Sequence, residues 1–334
     1  MIINKFFNNK NNNPELLSPY IIAEIGSNFD KDLNKAIKLI ETAKEADVDA
    51  VKFQLFKANI LYPNGGEMYD IFKSIELNSD WILKLKTHSN KLGLDFIVSP
   101  FDRSSVDELE KIDLEIYKIA SSEATNFDLL NYIAKKNKPT IISTGMCDII
   151  DIEEAVNCFK NNFNDSLILL QCGAVYPLPE EDANLKTIPL IKERFQYPTG
   201  FSDHTLGINC AITAIGLGSM IFEKHITLDK SSNGPDHFYA LNPNELVNYV
   251  ISIKKAYQSL GTGEKFLLAQ EKIHGRREGI YFLNDMLKGM VIREEDIILK
   301  RPAIGIRSRY KDSIVGQKLK NNVSKEQALT WSDI

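Results

Sequence analysis

From residue 20 to about residue 260, short apolar runs alternate with segments of helical periodicity. The runs are YIIAEIG (20–26), AVKFQLF (50–56), DFIVSPF (95–101), IYKIAS (116–121), PTIIST (139–144), LILLQC (167–172), TGFSDH (199–204) and MIFEKHIT (220–227). Between them lie stretches such as LNKAIKLIETAKEA and WILKLKTHSNKLG, whose apolar residues recur at helical spacing. Eight strands, each followed by a helix, match the size and rhythm of a (β/α)8 TIM barrel. Nearly continuous apolar strands fit a parallel sheet covered by helices. An open doubly wound sheet is the runner-up, but no GxGxxG follows the first strand. The last barrel helix is predicted to start near Pro243. A glycine-punctuated linker follows (261–278), and then a small domain of short strands and turns (279–334). Residues 1–19, polar and rich in Asn, read as a flexible N-terminal segment before a barrel spanning 20–260.

Composition changes this picture little. Hydrophobic residues make up 43% of the 334 and charged residues 25%, enough for a large core. No run approaches a membrane span, and the amino terminus lacks a secretory leader's apolar stretch, so a cytoplasmic protein without membrane contact is expected. Net charge is −5, with a mildly basic tail after an acidic body and no basic run suited to nucleic acid. The four cysteines have no CxxC spacing, which argues against both a disulfide framework and a zinc–thiolate site.

In such a barrel the active site lies at the C-terminal ends of the strands. Polar residues crowd there: Glu24, Lys52, Gln54, Ser99, Lys118, Ser121, Glu123, Ser202, His204, Glu223 and His225. Alternation puts Lys52 and Gln54 on one face, and likewise Glu223 and His225. Charged groups turned into a barrel are costly unless paired, so their convergence at one rim is expected to form a charged active-site cavity. His204 and His225, on adjacent strands, could meet one metal ion. Two nitrogens with open positions suit Mn²⁺ or Mg²⁺ better than structural zinc.

The ordered motifs AEIGSN, VKFQ, SPF, YKIASSE, STGM, YPLPEEDANL, GFSDHTLG, FEKHIT and NGPDH resemble the sialic acid synthase family. KGMVIREEDIILKRPAIGI resembles that family's C-terminal antifreeze-like (SAF) domain, so the resemblance covers the whole chain. It implies condensation of phosphoenolpyruvate with an N-acetylated amino-sugar aldehyde and water, giving a nine-carbon 2-keto acid and phosphate. The sugar would be N-acetylmannosamine or a 2,4-diacetamido-6-deoxyhexose. Lys52, Ser99, Lys118, Ser121 and Ser202 match phosphoenolpyruvate-binding positions, and His204 and His225 match the metal ligands. Glu24, Gln54, Tyr176 and Asp236 match positions near the sugar or the reacting carbons, and Glu123 an acid near the enolpyruvate. Glu24, Glu123 and Lys118 are the candidates for catalysis itself. Arg301 matches an arginine that a partner lends across a domain-swapped homodimer. Two departures stand out: Phe29 replaces the family's usual histidine, and Gln171-Cys172-Gly173-Ala174 replaces HCTS or HCTN, removing a polar side chain at Ala174. Two rival readings remain: a class I aldolase with Lys118 as Schiff-base nucleophile, and a binding module on an inert barrel.

Overall fold

Residue-by-residue alternation explains the architecture of the barrel and why its two ends differ. The computed structural model describes residues 3–7, 18–273 and 276–334. It divides into two units, 1–262 and 263–334. In the first, eight parallel strands close in sequence order into a barrel. They are β1 (Tyr20–Gly26), β2 (Ala50–Leu55), β3 (Asp95–Pro100), β4 (Tyr117–Ile119), β5 (Thr140–Ser143), β6 (Leu167–Cys172), β7 (Thr199–Asp203) and β8 (Ile221–His225). All eight lie within the apolar runs.

Side chains on one face of these strands, among them Ile21, Val51, Phe53, Val98, Ile142, Leu169 and Phe222, pack outward in one core with the surrounding helices. Those on the other face form a separate cluster inside the barrel: Tyr20, Ile22, Ala50, Ile97, Ile116, Ile141, Ile168, Leu170 and Ile221. Further along the same face the chemistry changes, because Ile22 is followed two residues later by Glu24, Ala50 by Lys52, Ile97 by Ser99, Ile116 by Lys118, Ile141 by Ser143 and Ile221 by Glu223. The barrel is therefore filled with hydrocarbon at its N-terminal end and with charge at its C-terminal end.

The expected flexible segment 1–19 needs correction where the structure describes it. Residues Asn4–Phe7 form a helical turn, and Ile3 and Phe6 are buried in the inner cluster. Phe6 packs edge-on to Tyr20, and the Ile3 amide and the Tyr20 hydroxyl both donate to Asp95. Two apolar side chains close the hydrocarbon end of the barrel, each worth roughly 1.5–3 kcal/mol of burial. Polar composition hid them, since the anchors are only two residues among many Asn and Lys. Residues 1–2 and 8–17, and 274–275 of the expected linker, lie outside the described residues.

The last barrel helix, Pro243–Leu260, starts where proline at its first turn predicts, and Asn242 and Glu245 close a capping box around its N-terminus. The second unit has its own core of Ile280, Phe282, Met286, Ile292, Ile297, Ile306, Ile314, Leu319, Val323 and Leu329. Its antiparallel pair is β9 (Gly279–Phe282) with β10 (Ile297–Lys300). All four cysteines are free, and no described helix is long and apolar enough to cross a membrane.

Candidate active site

The charged end of the barrel holds a buried ion cluster. Lys52 Nζ lies 2.9 Å from Glu24 and 3.5 Å from Glu223, and Lys118 Nζ lies 3.7 Å from Glu223. All four side chains are at most 5% exposed. Hydroxyls and an amide fill the gaps. Lys52 donates to Ser99 Oγ, Lys118 to Ser143 Oγ and the Ile119 carbonyl, Ser202 to Glu223, and Gln54 to Glu24. Ser121 Oγ accepts from the Gly145 amide and approaches Cys172 Sγ at 3.4 Å.

Burial and neighbouring charge set different proton affinities here. Burial pushes the Glu24 carboxyl up to about 6, with Lys52 opposing and Glu223 adding to the rise. Burial alone would also raise Glu223, but Lys118 and Lys52 outweigh it and hold that carboxyl down to about 2. Lys118 is lowered by its burial despite Glu223. Lys52 is raised, because Glu223 and Glu24 overcome the cost of burial. The cluster thus contains a fixed anion, a fixed cation and a carboxyl able to exchange a proton near neutrality. Glu223, central to it, was not among the catalytic or binding residues expected from sequence, nor was Ser143. Both follow from the alternation that placed Lys118 and His225 inward.

His204 and His225 stand beside the cluster with ring centroids 5.5 Å apart. The Gly173 carbonyl lies 2.7 Å from His204 Nδ1, and the Tyr239 hydroxyl lies 3.4 Å from His225 Nδ1. Both engaged nitrogens are Nδ1, so each ring keeps Nε2 for a ligand. This is the usual condition of a metal-binding imidazole. Burial holds His225 down to about 3, leaving it neutral with a lone pair to offer. Among the described residues no group of three His, Cys, Asp or Glu is arranged to hold a metal. The two neighbouring imidazoles, each with Nδ1 engaged, are a donor pair that an ion completing its shell from water or substrate would suit.

Asp236 lies 4.0 Å from His225 Nδ1 and accepts from Ser27 and Tyr239. Close approach here depends on Gly26, at φ +53°, where the β1–β2 register shifts. A Cβ at Gly26 would come 2.9 Å from Asp236 Oδ2 and 3.3 Å from the His225 ring. The Tyr176 ring lies tilted against His204 with centroids 4.2 Å apart, and the residue is 46% exposed.

Two expected residues stand apart. Glu123 is half-buried after β4 and accepts from Asn126 rather than joining the ion cluster. Arg301 belongs to the other unit, where its side chain is 62% exposed and 3.9 Å from Glu278. Phe29 packs against Phe53 in the outer core, so its departure from the usual histidine falls outside the ion cluster. A further cavity of about 670 Å³ lies behind β5 and β6, lined by Thr144, Cys147, Gln171 and Arg194. Thr144 and Gln171 are the chain neighbours of the inward-facing Ser143 and Cys172.

A model of the NeuB family matches residues 39–265, and one of the SAF domain matches 277–334. The chain is 39% identical over 335 residues to an N,N'-diacetyllegionaminic acid synthase of Legionella pneumophila, covering 94% of each. It is 32% identical over 330 residues to a pseudaminic acid synthase of Campylobacter jejuni, covering 94% of this chain and 96% of that one. Among solved structures, an N-acetylneuraminic acid synthetase from Leptospira borgpetersenii superposes with a TM-score of 0.73 at 35% identity, covering 77% of this chain and 90% of that one.

Proposed function

Since the chain belongs to the NeuB family and ends in a SAF domain, we propose that it condenses phosphoenolpyruvate with an N-acetylated amino-sugar aldehyde to make a nonulosonic acid. The aldehyde would be N-acetylmannosamine or a 2,4-diacetamido-6-deoxyhexose. The observation that carries the reading is the pairing of a lysine-and-hydroxyl cradle with two imidazoles whose Nε2 atoms are free, both at the C-terminal end of one barrel.

The anionic groups of phosphoenolpyruvate would lie between Lys52 and Lys118, with Ser99, Ser121 and Ser202 donating. Ser143, which accepts from Lys118, adds a further hydroxyl to the cradle. His204 and His225 would hold a divalent ion, Mn²⁺ or Mg²⁺, which when bound supplies Lewis-acid polarisation of the aldehyde oxygen. C3 of phosphoenolpyruvate forms a bond to the aldehyde carbon, whose oxygen takes a proton. Water adds to C2 and gives up a proton. The C2–O bond to phosphate then breaks as the new C2 hydroxyl becomes the ketone, and phosphate leaves with the bridging oxygen and takes up that hydroxyl's proton. Glu24, near 6, is the carboxyl suited to take the water's proton. Glu223, held as an anion between the lysines, would balance positive charge developing at C2. Gln54, Tyr176 and Asp236 would line the sugar's path, while Glu123, held by Asn126 outside the ion cluster, is given no step. Holding two substrates at one rim contributes mainly proximity.

A Schiff-base aldolase would need Lys118 free to attack a carbonyl. Its lowered proton affinity suits that role, but its amine is engaged by Ser143 and Ile119. The test is phosphate release from phosphoenolpyruvate with a panel of amino-sugar aldehydes, with and without chelator. Release that requires both a sugar and a metal is expected. Release without a sugar, or turnover abolished by borohydride trapping on Lys118, would defeat the reading.

We further propose that Arg301 serves the barrel of a second subunit, contacting the sugar's N-acetyl end. Its exposure and its loose contact with Glu278 leave it available for that role. Mixing an Arg301→Ala subunit with a His204→Ala subunit, each inactive alone, should restore activity in the mixed dimer. If Arg301 serves its own barrel, mixing restores nothing.

A further inference from the structure

Tyr239 is only 2% exposed, yet its hydroxyl is not used up by one partner. It lies 2.8 Å from Asp236 Oδ1 and 3.4 Å from His225 Nδ1. Its ring packs edge-on to His225 at 5.1 Å and at 5.4 Å from Tyr176, so the hydroxyl cannot swing away without disturbing both rings. Asp236 is equally fixed. Its other oxygen, Oδ2, accepts from the Ser27 hydroxyl at 2.8 Å and the Ser27 amide at 3.3 Å. The loop carrying both residues is pinned a second time where His237 bridges Thr227 and Asp30. Asp30 and its neighbour Lys31 both have positive φ, +51° and +54°, a strained turn that this bridge helps to hold.

An ionised carboxylate only accepts, so the proton of the Tyr239 hydroxyl must point to Asp236. The phenolic oxygen then presents its lone pairs to His225, and the nitrogen facing it is satisfied only if it carries a hydrogen. We propose that Tyr239 is a positioning residue that orders the chain His225 Nδ1–H to Tyr239 O–H to Asp236 and thereby keeps His225 Nε2 bare for a metal ion. It does for His225 what the Gly173 carbonyl does for His204. The second half of the proposal rests on the metal reading above; the first half does not.

Tyr239→Phe removes only the hydroxyl and keeps the ring packing. In metal-free, ¹⁵N-labelled full-length protein, long-range ¹H–¹⁵N spectra should show His225 in the single Nδ1–H tautomer. The His225 resonances are identified by their loss in His225→Gln. In Tyr239→Phe the signals should move to a tautomer mixture or to Nε2–H. Mn²⁺ binding, followed by the electron paramagnetic resonance of free Mn²⁺, should weaken about 10- to 100-fold, the usual consequence of losing a group that orients a ligand. If the hydroxyl's loss prevents folding, Asp236→Asn should give the same tautomer shift. An unchanged tautomer in both variants, or wild-type protein already in the Nε2–H form, would overturn the proposal. A correct tautomer in a wild-type protein that binds no Mn²⁺ would sink the metal reading while leaving the tautomer assignment in place.

Discussion

Lys118→Met should cost the protein most of its affinity for phosphoenolpyruvate while leaving the barrel folded. The substitution keeps most of the side chain's length and removes the charge. Lys118 is 1% exposed and 3.7 Å from Glu223, so water does not screen it and cannot replace it. Losing one charged partner at a buried site costs about 2–5 kcal/mol, or at least roughly thirtyfold in affinity at about 1.4 kcal/mol per decade. The remaining group worsens matters, because Glu223 keeps Lys52 but loses its second cation and repels an incoming phosphate. Calorimetric titration with phosphoenolpyruvate checks this directly. Binding as tight as wild type would remove Lys118 from the substrate cradle.

His204→Ala should abolish metal-dependent turnover. A Lewis acid contributes several kcal/mol of transition-state stabilisation, so the expected loss is on the order of a thousandfold or more. The fold should survive, since the ring is held by contacts to the Gly173 carbonyl, Cys172 Sγ and the Tyr176 ring rather than by the hydrocarbon core. Rates measured with excess Mn²⁺, alongside thermal melting, separate the two effects. Full activity in metal-stripped wild-type protein would contradict the assignment of both histidines.

Much of this was legible in the chain, and for identifiable reasons. The strands were visible because each is apolar on both faces, one against helices and one toward the barrel axis, as with Ile21 and Ile22 of β1. The site was visible where a charge interrupts such a run, as Lys52 and Lys118 do. Glu223 was read as facing inward with His225 but given no role, and Ser143 carried the same signal and went unselected. Glu223 sits between Phe222 and Lys224, and only its face distinguishes it from Lys224. That lysine points outward to Asp203 and the Tyr249 ring in a structural ion pair. Tyr239 was not legible, because nothing local shows that a tyrosine after NGPDH turns back toward a histidine 14 positions earlier. The Ile3 and Phe6 plug was hidden likewise: a four-residue helix has too few positions to show a period.

In the proposed reaction this site joins phosphoenolpyruvate to a sugar aldehyde with loss of the oxygen at C2. Phosphoenolpyruvate carrying ¹⁸O in the bridging position between C2 and phosphorus tests it most directly. With the productive amino sugar and Mn²⁺, mass spectrometry should find a nine-carbon keto acid free of the label and all of the ¹⁸O in inorganic phosphate. Label retained in the keto acid would mean P–O cleavage followed by a pyruvate aldol reaction, and would contradict the account.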